Sequence, residues 1–135
     1  MNRTLLTLIL CGLLQFAPAA LARDTIEASP YANVLSDLLE AFHAEDSPCE
    51  GGAGGTAEAC FHAHLVSASY LAERLTEIVE SYEGVGLRSG GWRSANGVWT
   101  VALSFPNSSY GHLEVYLAEG QDKLVKGMFR LVDPR

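Results

Sequence analysis

Residues 56–82 read TAEACFHAHLVSASYLAERLTEIVESY, and the period assigned to this run decides the architecture. Phe61, Leu65, Ala68, Ala72, Leu75, Val79 and Tyr82 recur at alternating spacings of four and three. That spacing keeps them within one face about 100° wide, which Leu71 and Ile78 broaden, while Glu73, Glu77 and Glu80 fall elsewhere. The pattern predicts one long amphipathic helix, capped by Thr56 and stopped by Gly84 and Gly86. Upstream, Ser29 and Pro30 suit a helix start, and Tyr31, Val34, Leu35, Leu38 and Phe42 continue at helical spacing to about Glu45.

Downstream of Val85 the period becomes two. Asn96-Gly97 is the chemistry of a type I′ turn, whose central residues both need positive φ. A two-residue loop there pairs Ala95 with Val98, Ser94 with Trp99 and Trp92 with Val101. Trp92, Trp99, Val101, Leu103 and Phe105 would then share a face. A turn at 107–109 leads to alternating Leu113, Val115 and Leu117, and Gly120-Gln121-Asp122 leads to alternating Val125, Gly127, Phe129 and Leu131. The expected fold is therefore α+β: two N-terminal helices packed on one face of a four-stranded antiparallel β-meander, a single domain over 23–135.

Residues 1–22 read as a signal peptide. Arg3 precedes an apolar run from Leu5 to Leu14, too short to span a bilayer at about 20 residues, and small residues at Ala20 and Ala22 suit peptidase cleavage. The expected location is a bacterial periplasm or the extracellular space, with no membrane association after cleavage. The formal net charge is −7. Residues 23–83 carry 12 acids and 2 bases, against 4 acids and 6 bases over 84–135. An acid excess of this kind argues against nucleic acid as a partner. Cys11 leaves with the leader, so Cys49 and Cys60 remain as a structural disulfide across a glycine-rich link, rather than a redox pair, which needs a closer spacing.

Four constellations are chemically suggestive. Cys60, His62 and His64, with Cys49 and His43, hold zinc-type donors. On a helix, however, His62 and His64 stand about 200° apart and cannot share an ion, so no metal site is expected. A mixed-charge outer sheet face carries His112, Glu114, Tyr116, Lys126 and Arg130, with His112 expected opposite Arg130, Glu114 opposite Met128 and Tyr116 opposite Lys126. Third, His64, Trp92 and Trp99 are candidates to line a pocket between helices and sheet, with His64 as a general base if the protein is a small enzyme. Last, Asn107-Ser108-Ser109 has the N-glycosylation pattern. No nucleotide-binding loop, nucleophile elbow or His-Glu-x-x-His stretch occurs. The functional expectation is a non-enzymatic binding or interaction module for a protein partner or small ligand, without a cofactor.

Overall fold

The computed structural model describes residues 25–49 and 57–132. The expected leader 1–22, the proposed cap Thr56 and the glycine-rich link lie outside the described residues. A helical turn over 25–27 precedes helix α1 (Ala32–Ala41), strands β1 (Glu45–Ser47) and β2 (Ala57–His64), and helix α2 (Ala68–Ser81). A 3₁₀ turn (Glu83–Val85) leads into β3 (Arg88–Ser89), β4 (Arg93–Ala95), β5 (Val98–Ser104), β6 (His112–Glu119) and β7 (Leu124–Val132). The seven strands form one antiparallel sheet in the order β1-β2-β7-β6-β5-β3, with β4 also paired to β5.

The fold expected from sequence is thus corrected: the described residues hold seven strands rather than four, and two of them precede α2. The error lies in residues 57–64. Ala59, Phe61 and Ala63 alternate with Glu58, Cys60, His62 and His64, so the segment satisfies period two as well as it satisfies a helix. Its alanines favour a helix locally. What overrides them is β7, which pairs with β2 along eight residues, from Ala57 opposite Leu131 to His64 opposite Leu124. Left unpaired, β7 would present a full row of backbone donors and acceptors at an open edge.

Helix α2 begins only after the chain turns at Leu65, which has φ of 61° and is 81% exposed rather than buried in the helix stripe. Ser67 is its true N-cap, accepting a hydrogen bond from the Tyr70 amide at 3.2 Å. The expected apolar face survives from there on, with Ala68, Leu71, Ala72, Leu75 and Val79 buried. The first helix is also shorter than expected, running from Ala32 and yielding to His43 in the left-handed region. Ser29 instead is buried, its hydroxyl accepting from the Tyr31 amide at 3.2 Å.

The core lies between the helices and the inner sheet face. Helix α2 packs over β5 and β6 and against α1. At one end of α1, Tyr31 packs at a tilt against Phe105 (5.3 Å between centroids) and its hydroxyl donates to the Gly111 carbonyl at 2.7 Å. At the other, Phe42 meets Phe61, which stacks on Phe129.

The hairpin at Asn96-Gly97 has both central φ values positive, at 53° and 77°, and pairs Ala95 with Val98 and Ser94 with Trp99. Trp92 does not pair with Val101, because two residues, Gly91 and Trp92, oppose that single position between the Gly90–Ala102 and Arg93–Thr100 contacts. This is a bulge, with Gly91 at φ of 84°. Two other registers differ from expectation by two residues. Leu113 faces Leu103 rather than Phe105, and Leu117 faces Gly127 rather than Val125. A slip of two keeps every side chain on its expected face and changes only its partners.

Candidate binding face

The inner face of the sheet is covered by helices; among the described residues no element covers the outer one. Alternation places Glu45 and Ser47 of β1, Glu58, Cys60, His62 and His64 of β2, Lys126, Met128 and Arg130 of β7, and His112, Glu114 and Tyr116 of β6 on this outer side. The register divides them into two groups.

In the first group, Glu58 is 8% exposed, a carboxylate that burial would penalise heavily without a counter-charge. The Arg130 Nε donates to its Oε1 at 3.1 Å, and the same guanidinium lies 5.4 Å over the Tyr116 ring. Tyr116 in turn donates to Glu114, whose other oxygen lies 3.2 Å from His112 Nε2. Burial, followed by the hydrogen bond and charge of Glu114, raises the Tyr116 hydroxyl above its ordinary pKa, with Arg130 opposing. The expected binding face is therefore partly assembled: His112, Glu114, Tyr116 and Arg130 come together, but by a different register. Glu114 faces Arg130, Tyr116 faces Met128 and His112 faces Val132. These contacts join β2, β7 and β6 as a polar clamp. Glu58, which closes the clamp, lies in the segment whose helical period conceals its place on β2.

Lys126 stands apart from that network. It faces Ala118 on one side and His62 on the other, in a cross-strand row that continues to Glu45. This second group borders a groove of about 470 Å³ lined by Ser47, Cys60, His62, His64, Lys126 and Met128. The rings of His62 and His64, two residues apart on a strand, meet edge to face with centroids 5.1 Å apart. His62 Nε2 is 3.0 Å from Glu45 Oε2. The three residues offer donor atoms all within 4.8 Å of one another.

Beta1 has only three residues, and it is held to β2 by the Cys49–Cys60 disulfide, whose Cα atoms are 5.2 Å apart. A crosslink closing a loop of this size contributes about 3 kcal/mol in the chain-entropy model. It also holds Glu45 opposite His62, since the bridged Cys60 pairs with Ser47 two residues along β1. With both sulfurs in the bridge, the cysteines are not the thiolate ligands considered with His43 and the two histidines, and His43 lies outside the cluster.

The pocket expected from His64, Trp92 and Trp99 is not formed. His64 is exposed on the outer side of β2, whereas the indoles pack edge to face at 6.3 Å on the helical side, where Trp92 Nε1 donates to Thr76 Oγ1 at 3.1 Å. Asn107 is exposed in the turn before β6, where the glycosylation pattern would be accessible.

Among the described residues no helix is long and apolar enough to cross a membrane. Comparison of the chain with protein-family models, with curated proteins and with solved structures finds no match.

Proposed function

We propose that the protein is an exported, non-enzymatic binding module that takes a small ligand on the outer face of its sheet, in the groove over β2 and β7. The observation that carries this reading is the groove itself. Its lining combines the apolar Met128 and Leu124 with the polar His62, His64 and Lys126. Mixed lining of this kind suits a ligand with an apolar body and an anionic group, the latter placed toward Lys126. The Glu58–Arg130–Tyr116 clamp beside it holds the three central strands in register, so the groove is a preorganised surface rather than one that must be ordered on binding. Export is supported by the leader-like pattern of residues 1–22 and by the disulfide, which persists in oxidising compartments.

The test is a fragment screen on the isotope-labelled mature protein, read by amide chemical shifts. Fragments bearing a carboxylate or phosphate should shift β2 and β7 resonances around His62, His64, Lys126 and Met128. Hits confined to the helical side, or none, would overturn the reading. The same preparation tests export, because protein recovered from the periplasm should begin at Arg23 and gain no mass from thiol alkylation unless it is first reduced.

A further inference from the structure

We infer that Glu45, His62 and His64 form a binding site for a divalent transition-metal ion of the Zn²⁺ or Cu²⁺ class at the end of the outer groove. The inference deepens the binding reading above and rests on the same groove.

The donor set is two imidazole nitrogens and one carboxylate oxygen, which suits Zn²⁺ and Cu²⁺ and not the oxygen-seeking Mg²⁺ or Ca²⁺. A tetrahedral ion with bonds of about 2.0–2.1 Å holds its ligand atoms about 3.3 Å apart. His62 Nε2 and Glu45 Oε2 already stand at 3.0 Å, so an ion replacing the proton between them needs almost no movement of that pair. The third donor, from His64, lies within 4.8 Å and has to close by at most about 1.5 Å to reach that ligand-to-ligand spacing. His64 is exposed, and rotation of its side chain supplies that movement without disturbing the core.

The backbone fixes what the side chains need. His62 and His64 project from one strand on the same side, and their partners on β7, Lys126 and Leu124, hold the strand along its length. Directly after His64, the Leu65 amide donates to the Lys123 carbonyl at 2.8 Å, which anchors the strand end. Glu45 reaches His62 from β1, which the disulfide ties in place. Three protein ligands leave the fourth position open toward the groove, where a water or the anionic group of a ligand can complete the coordination. Lys126, opposite His62, opposes the charge of the ion, so its neutralisation strengthens metal binding.

The experiment titrates Zn²⁺, and separately Cu²⁺ and Mg²⁺, into tag-free protein with the disulfide intact, by calorimetry and by the imidazole resonances of the four histidines. One equivalent of Zn²⁺ should bind and shift the His62 and His64 rings while leaving His43 and His112 in place. Cu²⁺ should bind more tightly than Zn²⁺, and Mg²⁺ should not compete. His64→Ala and Glu45→Gln, both at exposed positions, should each weaken Zn²⁺ binding at least about tenfold, Lys126→Gln should tighten it, and His112→Ala should change nothing. No saturable binding, or binding that survives unchanged in the His62→Asn/His64→Ala double variant, overturns the site. Fragments that bind the metal-free groove while Zn²⁺ does not bind would defeat the metal site alone; Zn²⁺ binding with no groove ligand would defeat only the small-ligand reading.

Discussion

Gly127 is where the assignment of residues 57–64 can be tested most directly. It faces Phe61 across the β2–β7 pair, and a methyl group placed on it would lie 2.0, 2.3 and 2.6 Å from three atoms of the Phe61 ring. Carbon atoms in contact prefer about 3.5–4.0 Å. The ring has nowhere to retreat, because it is 1% exposed and held between Phe42 at 5.7 Å and Phe129 at 5.2 Å. A glycine covered by an aromatic side chain from the neighbouring strand is a stable arrangement in sheets. Gly127→Ala therefore forces Phe61 off its rotamer or bows β2 away from β7. Overpacking of this kind costs about 1–3 kcal/mol, of which about 0.5–1 kcal/mol is offset by the lower unfolded-state entropy of alanine. The net loss is about 0.5–2 kcal/mol, or a fall in Tm of roughly 2–15 °C for a domain of this size. Urea unfolding should show it as a lower midpoint at constant m. In a Phe61→Leu background, where the offending ring atoms are gone, the same Gly127→Ala change should be neutral or stabilising, giving a coupling of about 1–3 kcal/mol. If Gly127→Ala is harmless in the parent, or equally damaging in both backgrounds, then Phe61 does not lie on Gly127 and the strand assignment fails.

Two further outcomes follow from the same geometry. Ser67→Ala removes the cap of α2 and should cost about 1 kcal/mol by urea unfolding. In a helix begun at Thr56, the same substitution would fall mid-helix and stabilise by about 0.5 kcal/mol, so the sign alone separates the two readings. The second concerns alkaline pH. Burial pushes the Tyr31 hydroxyl above its ordinary pKa, as burial and Glu114 do for Tyr116. A phenol whose folded pKa exceeds its unfolded value stabilises the fold fully below the unfolded pKa near 10, and that contribution is lost as pH rises through the raised folded value. Stability should therefore decline on the alkaline side of pH ~10, and the decline should be shallower in Tyr31→Phe/Tyr116→Phe. An unchanged slope in that variant would remove these two groups as its source.

The parts of the molecule that could be read from sequence are those whose cause is local. Asn96-Gly97 produces its hairpin because positive φ at both positions is a property of the two residues themselves. Ala68 to Val79 form a helical face because five buried positions at the right spacing leave no rival period. Residues 57–64 lack that redundancy. They contain one large apolar side chain, Phe61, and a single such residue cannot define a period; the choice between helix and strand falls to β7, some sixty residues away. Beta1 is three residues long and has no signature apart from its partner. The two-residue register slips arise at connections whose place the sequence marks but whose length it does not, such as the turn before β7, where Asp122 and Lys123 take positive φ.

These failures bear unequally on core and site. Phe61 is buried under either reading, because an inward position on a strand and a stripe position on a helix demand the same side chain. For His62 and His64 the change of period reverses the answer. Two residues apart on a helix they diverge by about 200°; on β2 their rings are neighbours, and Glu45 reaches them from a strand that the helical reading did not contain. A core tolerates an error of period because hydrophobicity is non-directional. A coordination site does not, since its existence depends on which side chains point the same way.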